Sequence, residues 1–206
     1  MICSPHEADT SGQVDARRIT ILEAAYRLFI RLGYRNVSMK DIAEECRISR
    51  PTLYRFFRNK EAIIEGLIEK QFSECLTVTR GLTINSNIPL QARLETFFET
   101  WIVAPAAPVI ETEVGRDLLF NVALYVPIAV DKHYEQLEAH LVEIIGPDLG
   151  DNGSVAADKL AHILILAAKG VKSSSKSLLE LRELVSTLIA MAVASAQCKG
   201  RSADLD

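Results

Sequence analysis

Apolar residues along the chain recur at intervals of three and four, and alternating β-branched runs bounded by turn residues are missing. Ile21, Ala25, Leu28, Phe29 and Leu32 mark one face of a helix over about residues 15–32, and Gly33 follows where a left-handed C-terminal residue is expected. Residues 1–14 are polar and predict a mobile tail. Ser38 is an N-cap for a two-turn helix with the apolar face Met39, Ile42, Ala43 and Cys46, and Asp41 adds negative charge to its first turn. Arg47-Ile48-Ser49 forms a tight connection. Ser49 caps a second short helix over residues 50–56, with Pro51 in its first turn, where a missing N–H does no harm. That helix directs Leu53 and one of Phe56 or Phe57 inward and leaves Arg50, Thr52, Tyr54 and Arg55 largely outward. Asn59 caps a longer helix carrying Ile63, Ile64, Leu67 and Ile68 on its buried side.

The remainder reads as further helices over residues 90–103, 111–122, 128–145, 156–171 and 177–196, punctuated by Pro105, Pro108, Pro127 and Pro147. Residues 146–154 (GPDLGDNGS) predict a loop and residues 172–176 a short turn. The last two helices are apolar on more than one face, so they must be buried on more than one side. A second copy of the chain is the natural cover; the alternative is a central helix enclosed by its own monomer.

With 206 residues, 49% of them hydrophobic, the chain can bury a real core in one or two domains. Its longest apolar stretches, around residues 163–168 and 188–194, fall far short of the roughly 18 residues of a membrane span. Met1 to Gln13 has no apolar signal-peptide segment, and the expectation is a soluble cytoplasmic protein with no membrane contact. Cys3, Cys46, Cys75 and Cys198 lie far apart, and His6, His133, His140 and His162 form no metal-ligand spacing. Glu111, Glu113, His133 and His140 make no helical i, i+3 or i+4 histidine pair, so neither metal nor cofactor is expected.

The net charge of −4 argues weakly against nucleic acid, but its distribution reverses that. Residues 1–70 carry twelve Lys/Arg against ten Asp/Glu, while residues 71–206 carry eleven against seventeen. Arg47, Arg50, Arg55, Arg58 and Lys60 follow one another without an intervening acid. Such a stretch can neutralise phosphates on an otherwise acidic, soluble protein. Two short helices joined by a three-residue turn, the second presenting Arg, Thr and Tyr, read as a helix-turn-helix; an ordinary helical hairpin with a solvated face is the alternative.

The stretch RLGYRNVSMKDIAEECRISRPTLYRFFRNKEAI resembles the N-terminal domain of the TetR/AcrR family of bacterial transcriptional repressors. The resemblance rests on Gly33-Tyr34, Ser38, Asp41-Ile42-Ala43, Thr52-Leu53-Tyr54, Phe57 and Lys60-Glu61 at fixed spacing, and covers about residues 15–75. Two positions depart from the family pattern. Cys46-Arg47 stands where Ala-Gly is usual, and a left-handed Arg47 would cost about 1 kcal/mol relative to glycine. Pro51 stands where glycine is frequent.

The resemblance implies an all-α fold. Residues 15–75 would form an N-terminal three-helix helix-turn-helix domain, and residues 76–206 a C-terminal helical domain for effector binding and dimerisation. It also implies a homodimer through the last two helices, bound to a palindromic double-stranded DNA operator as a ligand-responsive repressor. In that arrangement Arg50, Pro51, Thr52 and Arg55 lie nearest the bases, and Ser38, Tyr54 and Lys60 meet phosphates. Arg17 and Arg18 add backbone or minor-groove contacts. A small hydrophobic effector is expected in the C-terminal domain, with Phe98, Trp101, Phe120, Tyr125 and His133 as candidate lining, although the same residues serve equally as core filling. An enzyme with its active site in the helical body is the reading from another class. Against it, the chain shows no nucleophile, base and orienting group in any known pattern. An architectural DNA-binding dimer without a ligand is a third.

Overall fold

The computed structural model describes the backbone of residues 5–84, 87–149 and 156–197. Helices in chain order are α1 (Pro5–Leu32), α2 (Met39–Glu45), α3 (Arg50–Phe56), α4 (Lys60–Thr79), α5 (Gly81–Ile84), α6 (Leu90–Phe98), α7 (Ala104–Ala106), α8 (Glu113–Tyr125), α9 (Pro127–Leu149), α10 (Ala157–Ser174) and α11 (Leu178–Gln197). A 3₁₀ turn at Tyr34–Asn36 precedes α2, and a π-helical turn at Glu99–Val103 follows α6. The fold is all-α, with no strand among the described residues. No described helix is long and apolar enough to cross a membrane.

The chain divides into two compact units, Met1–Lys70 and Gln71–Asp206, five residues earlier than the expected border after residue 75. The N-terminal unit is built on Leu22, Ala25, Phe29, Ile42, Leu53 and Ile63, all essentially inaccessible. Fully burying each large apolar side chain contributes about 1.5–3 kcal/mol. Gly66 on α4 allows close packing: a Cβ there would lie 3.0 Å from Leu22 and 3.2 Å from Phe57.

The C-terminal unit packs α6, the π-helical turn, α9, α10 and α11 around Leu94, Phe97, Trp101, Leu141, Ile144 and Leu164. A buried polar chain threads it. The Thr79 hydroxyl can donate to the Cys75 carbonyl at 2.9 Å. Its lone pairs then accept from Trp101 Nε1 at 3.2 Å and His140 Nε2 at 2.9 Å.

Three expectations are corrected. Helix α1 begins at Pro5, so residues 5–14 continue the helix where a mobile tail was expected; Met1 to Ser4 lie outside the described residues. The polar composition of that stretch carries no apolar period to announce it. Helix α9 runs on through Pro147 to Leu149, so the 146–154 loop loses its first residues to the helix and its last ones lie outside the description. The reason is Arg93, which donates to the Ile144 carbonyl at 2.6 Å, pairs with the Asp148 carboxylate and thereby ties down the final turn. Helix α10 likewise extends to Ser174, which makes Lys172 a helical residue in place of part of a turn.

Candidate nucleic-acid interface

Local chemistry fixes the two short helices. Ser38 and Asp41 form a reciprocal capping box: the Asp41 carboxylate accepts from the Ser38 backbone N–H at 2.7 Å and from its hydroxyl at 2.6 Å. Those bonds hold the Asp41 pKa below the usual carboxylate value. Helix α2 ends in a Schellman motif, with Ile48 N–H bonded to the Ala43 carbonyl at 2.9 Å and Arg47 N–H to the Glu44 carbonyl at 3.0 Å. This geometry puts Arg47 in the left-handed region, at φ 52°. Ser49 then caps α3, its hydroxyl accepting from Thr52 N–H at 3.2 Å and sharing a 2.8 Å bond with the Thr52 hydroxyl.

Helix α3 buries Leu53 and presents Arg50, Pro51, Tyr54 and Arg55 to solvent. Tyr54 is 48% exposed, a large aromatic surface left uncovered. Among the described residues Arg47, Arg50, Arg55 and Arg58 have no acidic partner. A cleft of ≈ 470 Å³ opens beside α3, lined by Arg50, Tyr54 and Arg58 together with Arg35, Lys40, Lys60 and one acid, Glu61. A concave surface lined by cations and an aromatic suits a phosphate backbone.

The structure treats the expected contact residues unequally. Arg50, Pro51, Tyr54 and Arg55 stand free on one exposed helix, and Arg17 is exposed on α1. Thr52 is half-buried and shared with the cap. Arg18 is drawn to its own unit, 3.5 Å from Glu69 and 5.1 Å over the Phe57 ring. The Ser38 hydroxyl is committed to Asp41. Lys60 donates to the Tyr34 carbonyl at 2.8 Å and lies 4.3 Å over the Tyr34 ring. Partial burial lowers its pKa. Beside it, Glu61 accepts from the Tyr34 hydroxyl at 2.6 Å, which holds its carboxyl below the usual range. The Gly-Tyr and Lys-Glu pairs are thus one clasp. Arg35 and Lys40 were not singled out from sequence; their signal was position, on either side of the capped start of α2.

The effector candidates also separate. Phe98 and Trp101 are fully buried, Phe98 edge-on to Phe97 at 5.3 Å. Trp101 lies 6.0 Å from the ring of His133. Phe120 is 41% exposed, and Tyr125, at the end of α8, is half-buried; neither belongs to the core cluster.

An all-helical chain with a capped helix-turn-helix and an exposed cationic second helix defines the class: a helix-turn-helix protein. Residues 21–67 match the family described as bacterial regulatory proteins, tetR family. The HTH-type transcriptional regulator YvkB of Bacillus subtilis is 40% identical over 53 residues, 26% of this chain and 28% of that protein. UidR of Escherichia coli K12, another HTH-type transcriptional regulator, is 45% identical over 51 residues, 25% of this chain and 26% of that protein. The chain thus spans about a quarter of the length of these curated relatives. Across the whole fold, Salmonella enterica GusR superposes with a TM-score of 0.65 at 25% identity, over 89% of this chain and 96% of that one. Thermus thermophilus FadR, a TetR-family repressor solved with lauroyl-CoA, shares the fold with a TM-score of 0.60 at 17% identity, over 85% and 93%. Residues 21–67 thus form a tetR-family domain, and the fold of the chain is shared with TetR-family regulators.

Proposed function

We propose that the protein is a homodimeric, ligand-responsive repressor whose two α3 helices read a palindromic DNA operator. The observation that carries this reading is the face of α3: Arg50 and Arg55, without acidic partners among the described residues, flank exposed Pro51 and Tyr54 on a helix held by a cap at its start. Arg50 and Arg55 reach base edges, while Tyr54 and the cations of the adjoining cleft meet phosphates. Lys60 keeps two of its three protons free of the Tyr34 carbonyl for the same purpose.

Dimerisation through α10 and α11 is supported by apolar surface that this chain leaves uncovered. Ile163 is 56% and Leu166 53% exposed on α10, and Leu184 is 38% and Met191 66% exposed on α11. Gly170 continues the α10 stripe, and nothing lies within 4 Å of where its Cβ would be, which leaves room for a closely approaching helix. The effector response is supported by the kinship in fold with a repressor that holds lauroyl-CoA. A ligand favouring a dimer whose α3 helices no longer match one turn of DNA would weaken operator binding.

Selection of bound duplexes from a random pool tests the reading. Enrichment of a palindrome is expected; recovery of DNA without any common sequence would overturn it.

A further inference from the structure

Lys172 lies near the end of α10 on its inner side, and no described residue offers its ammonium a hydrogen bond or an ion pair. Its side chain is half-buried and keeps a partial accessible surface. Desolvation pushes its pKa down to about 8, with no carboxylate offsetting the effect. On α9, within electrostatic reach, His133 buries its Nδ1 without any hydrogen-bond partner. Burial and the charge of Lys172 push the His133 pKa down to about 4, so the imidazole is neutral at pH 7.

Few buried polar groups in folded proteins go unpaired, and His133 Nδ1 is one that does. Among the acids of α9, Glu138 faces His162 at 3.0 Å, Glu143 faces His140 at 3.5 Å and Asp148 pairs with Arg93, while Asp131 and Glu135 are exposed. Around His133 stand three aromatic rings, Phe72 at 5.8 Å, Trp101 at 6.0 Å and Tyr134 at 5.6 Å. Trp101 belongs to the π-helical turn, a rare backbone form frequent at functional sites.

We propose that Lys172 and His133 are the anion-binding end of the effector site, and that the effector is an organic monocarboxylate whose apolar body lies against Phe72, Trp101 and Tyr134. The proposal rests on the effector-binding reading of the C-terminal unit. Lys172 with the neutral His133 N–H donor matches the charge and the two oxygens of a carboxylate, and Lys169, 4.2 Å over the Tyr134 ring, adds a second cation beside it. A cationic ligand would meet repulsion from Lys172, and a neutral one would leave its charge uncompensated.

The test is calorimetric titration of the full chain, without DNA, with indole-3-acetate, phenylacetate and octanoate, each against its own amide. At least one carboxylate is expected to bind about tenfold or more tightly than its amide, one charge-assisted hydrogen bond being worth at least that. Lys172→Met should remove that preference while keeping the helical content of the wild type by circular dichroism. If Lys172→Met fails to fold, Lys172→Gln takes its place, and His133→Phe should weaken the same carboxylate. Equal binding of acids and amides overturns the proposal, as does undiminished carboxylate binding by the Lys172 variant or no carboxylate binding at millimolar concentration. Operator binding by the same preparations separates the two readings: a chain that binds its operator but no carboxylate loses the ligand assignment alone.

Discussion

Single side chains in the N-terminal unit carry either geometry or a free charge, and Arg47 carries both. Its φ of 52° closes the turn after α2, and its guanidinium has no acidic partner among the described residues. Arg47→Gly should therefore stabilise the fold by about 1 kcal/mol while weakening binding to all DNA sequences alike, read by thermal unfolding and by a salt series. Tyr34 is the opposite case, with carbonyl and ring held by Lys60 and hydroxyl by Glu61. Tyr34→Phe should cost about 1 kcal/mol of stability, with base preference unchanged on a panel of substituted operators. The motif spacing made these residues conspicuous in the sequence, but not which of them would spend its charge internally, since that depends on where the ring of Tyr34 comes to lie. His133 adds a pH signature. Its folded pKa of about 4 lies below the unfolded value near 6.5, so the unfolded chain binds the extra proton. The resulting stability is full above pH 6.5 and lost as pH falls towards 4, on the order of 3 kcal/mol. Denaturant unfolding of His133→Phe should show that part of the acid dependence removed.

Elements whose ends are set by neighbours in sequence were legible; those set by tertiary contacts were not. Ser38, Ser49 and Asn59 each cap the helix that follows, and the turn between α2 and α3 falls where the pattern puts it. The end of α9 follows a different logic. Pro147 and the glycines around it signal a loop, yet Arg93, more than fifty residues earlier in the chain, reaches both the Ile144 carbonyl and the Asp148 carboxylate. Arg93 is 3% exposed, so Arg93→Met strands a carboxylate and a carbonyl together. A loss of about 2–3 kcal/mol in chemical denaturation is expected. The end of α10 hid Lys172 for a related reason: Lys172–Lys176 (KSSSK) reads as a polar turn, and only the folded chain shows its first lysine helical and half-buried.

For the whole molecule, excess apolar character in the last two helices led to the proposal of a second chain, but periodicity did not say which residues would face it. Leu188 is half-buried and packed on its own core, whereas Met191 is 66% exposed. Met191→Glu should dissociate the dimer while leaving the circular dichroism of the helices intact; Leu188→Glu should unfold the chain as well. Sedimentation equilibrium distinguishes the two. The DNA-facing third of the chain was recognisable because its chemistry is local, carried by caps, a turn and a short exposed helix. The proposed effector end was not, because it joins residues from α4, the π-helical turn, α9 and α10. The account as a whole depends on α3 reading bases. Its most direct test is the affinity of wild type and Arg50→Ala for the selected operator and for operators changed at single base pairs. The expected result is a loss of about 1–3 kcal/mol on the operator, with selectivity relaxed at one base pair in each half-site. An Arg50→Ala protein that is folded and keeps the full wild-type affinity and base preference would contradict it.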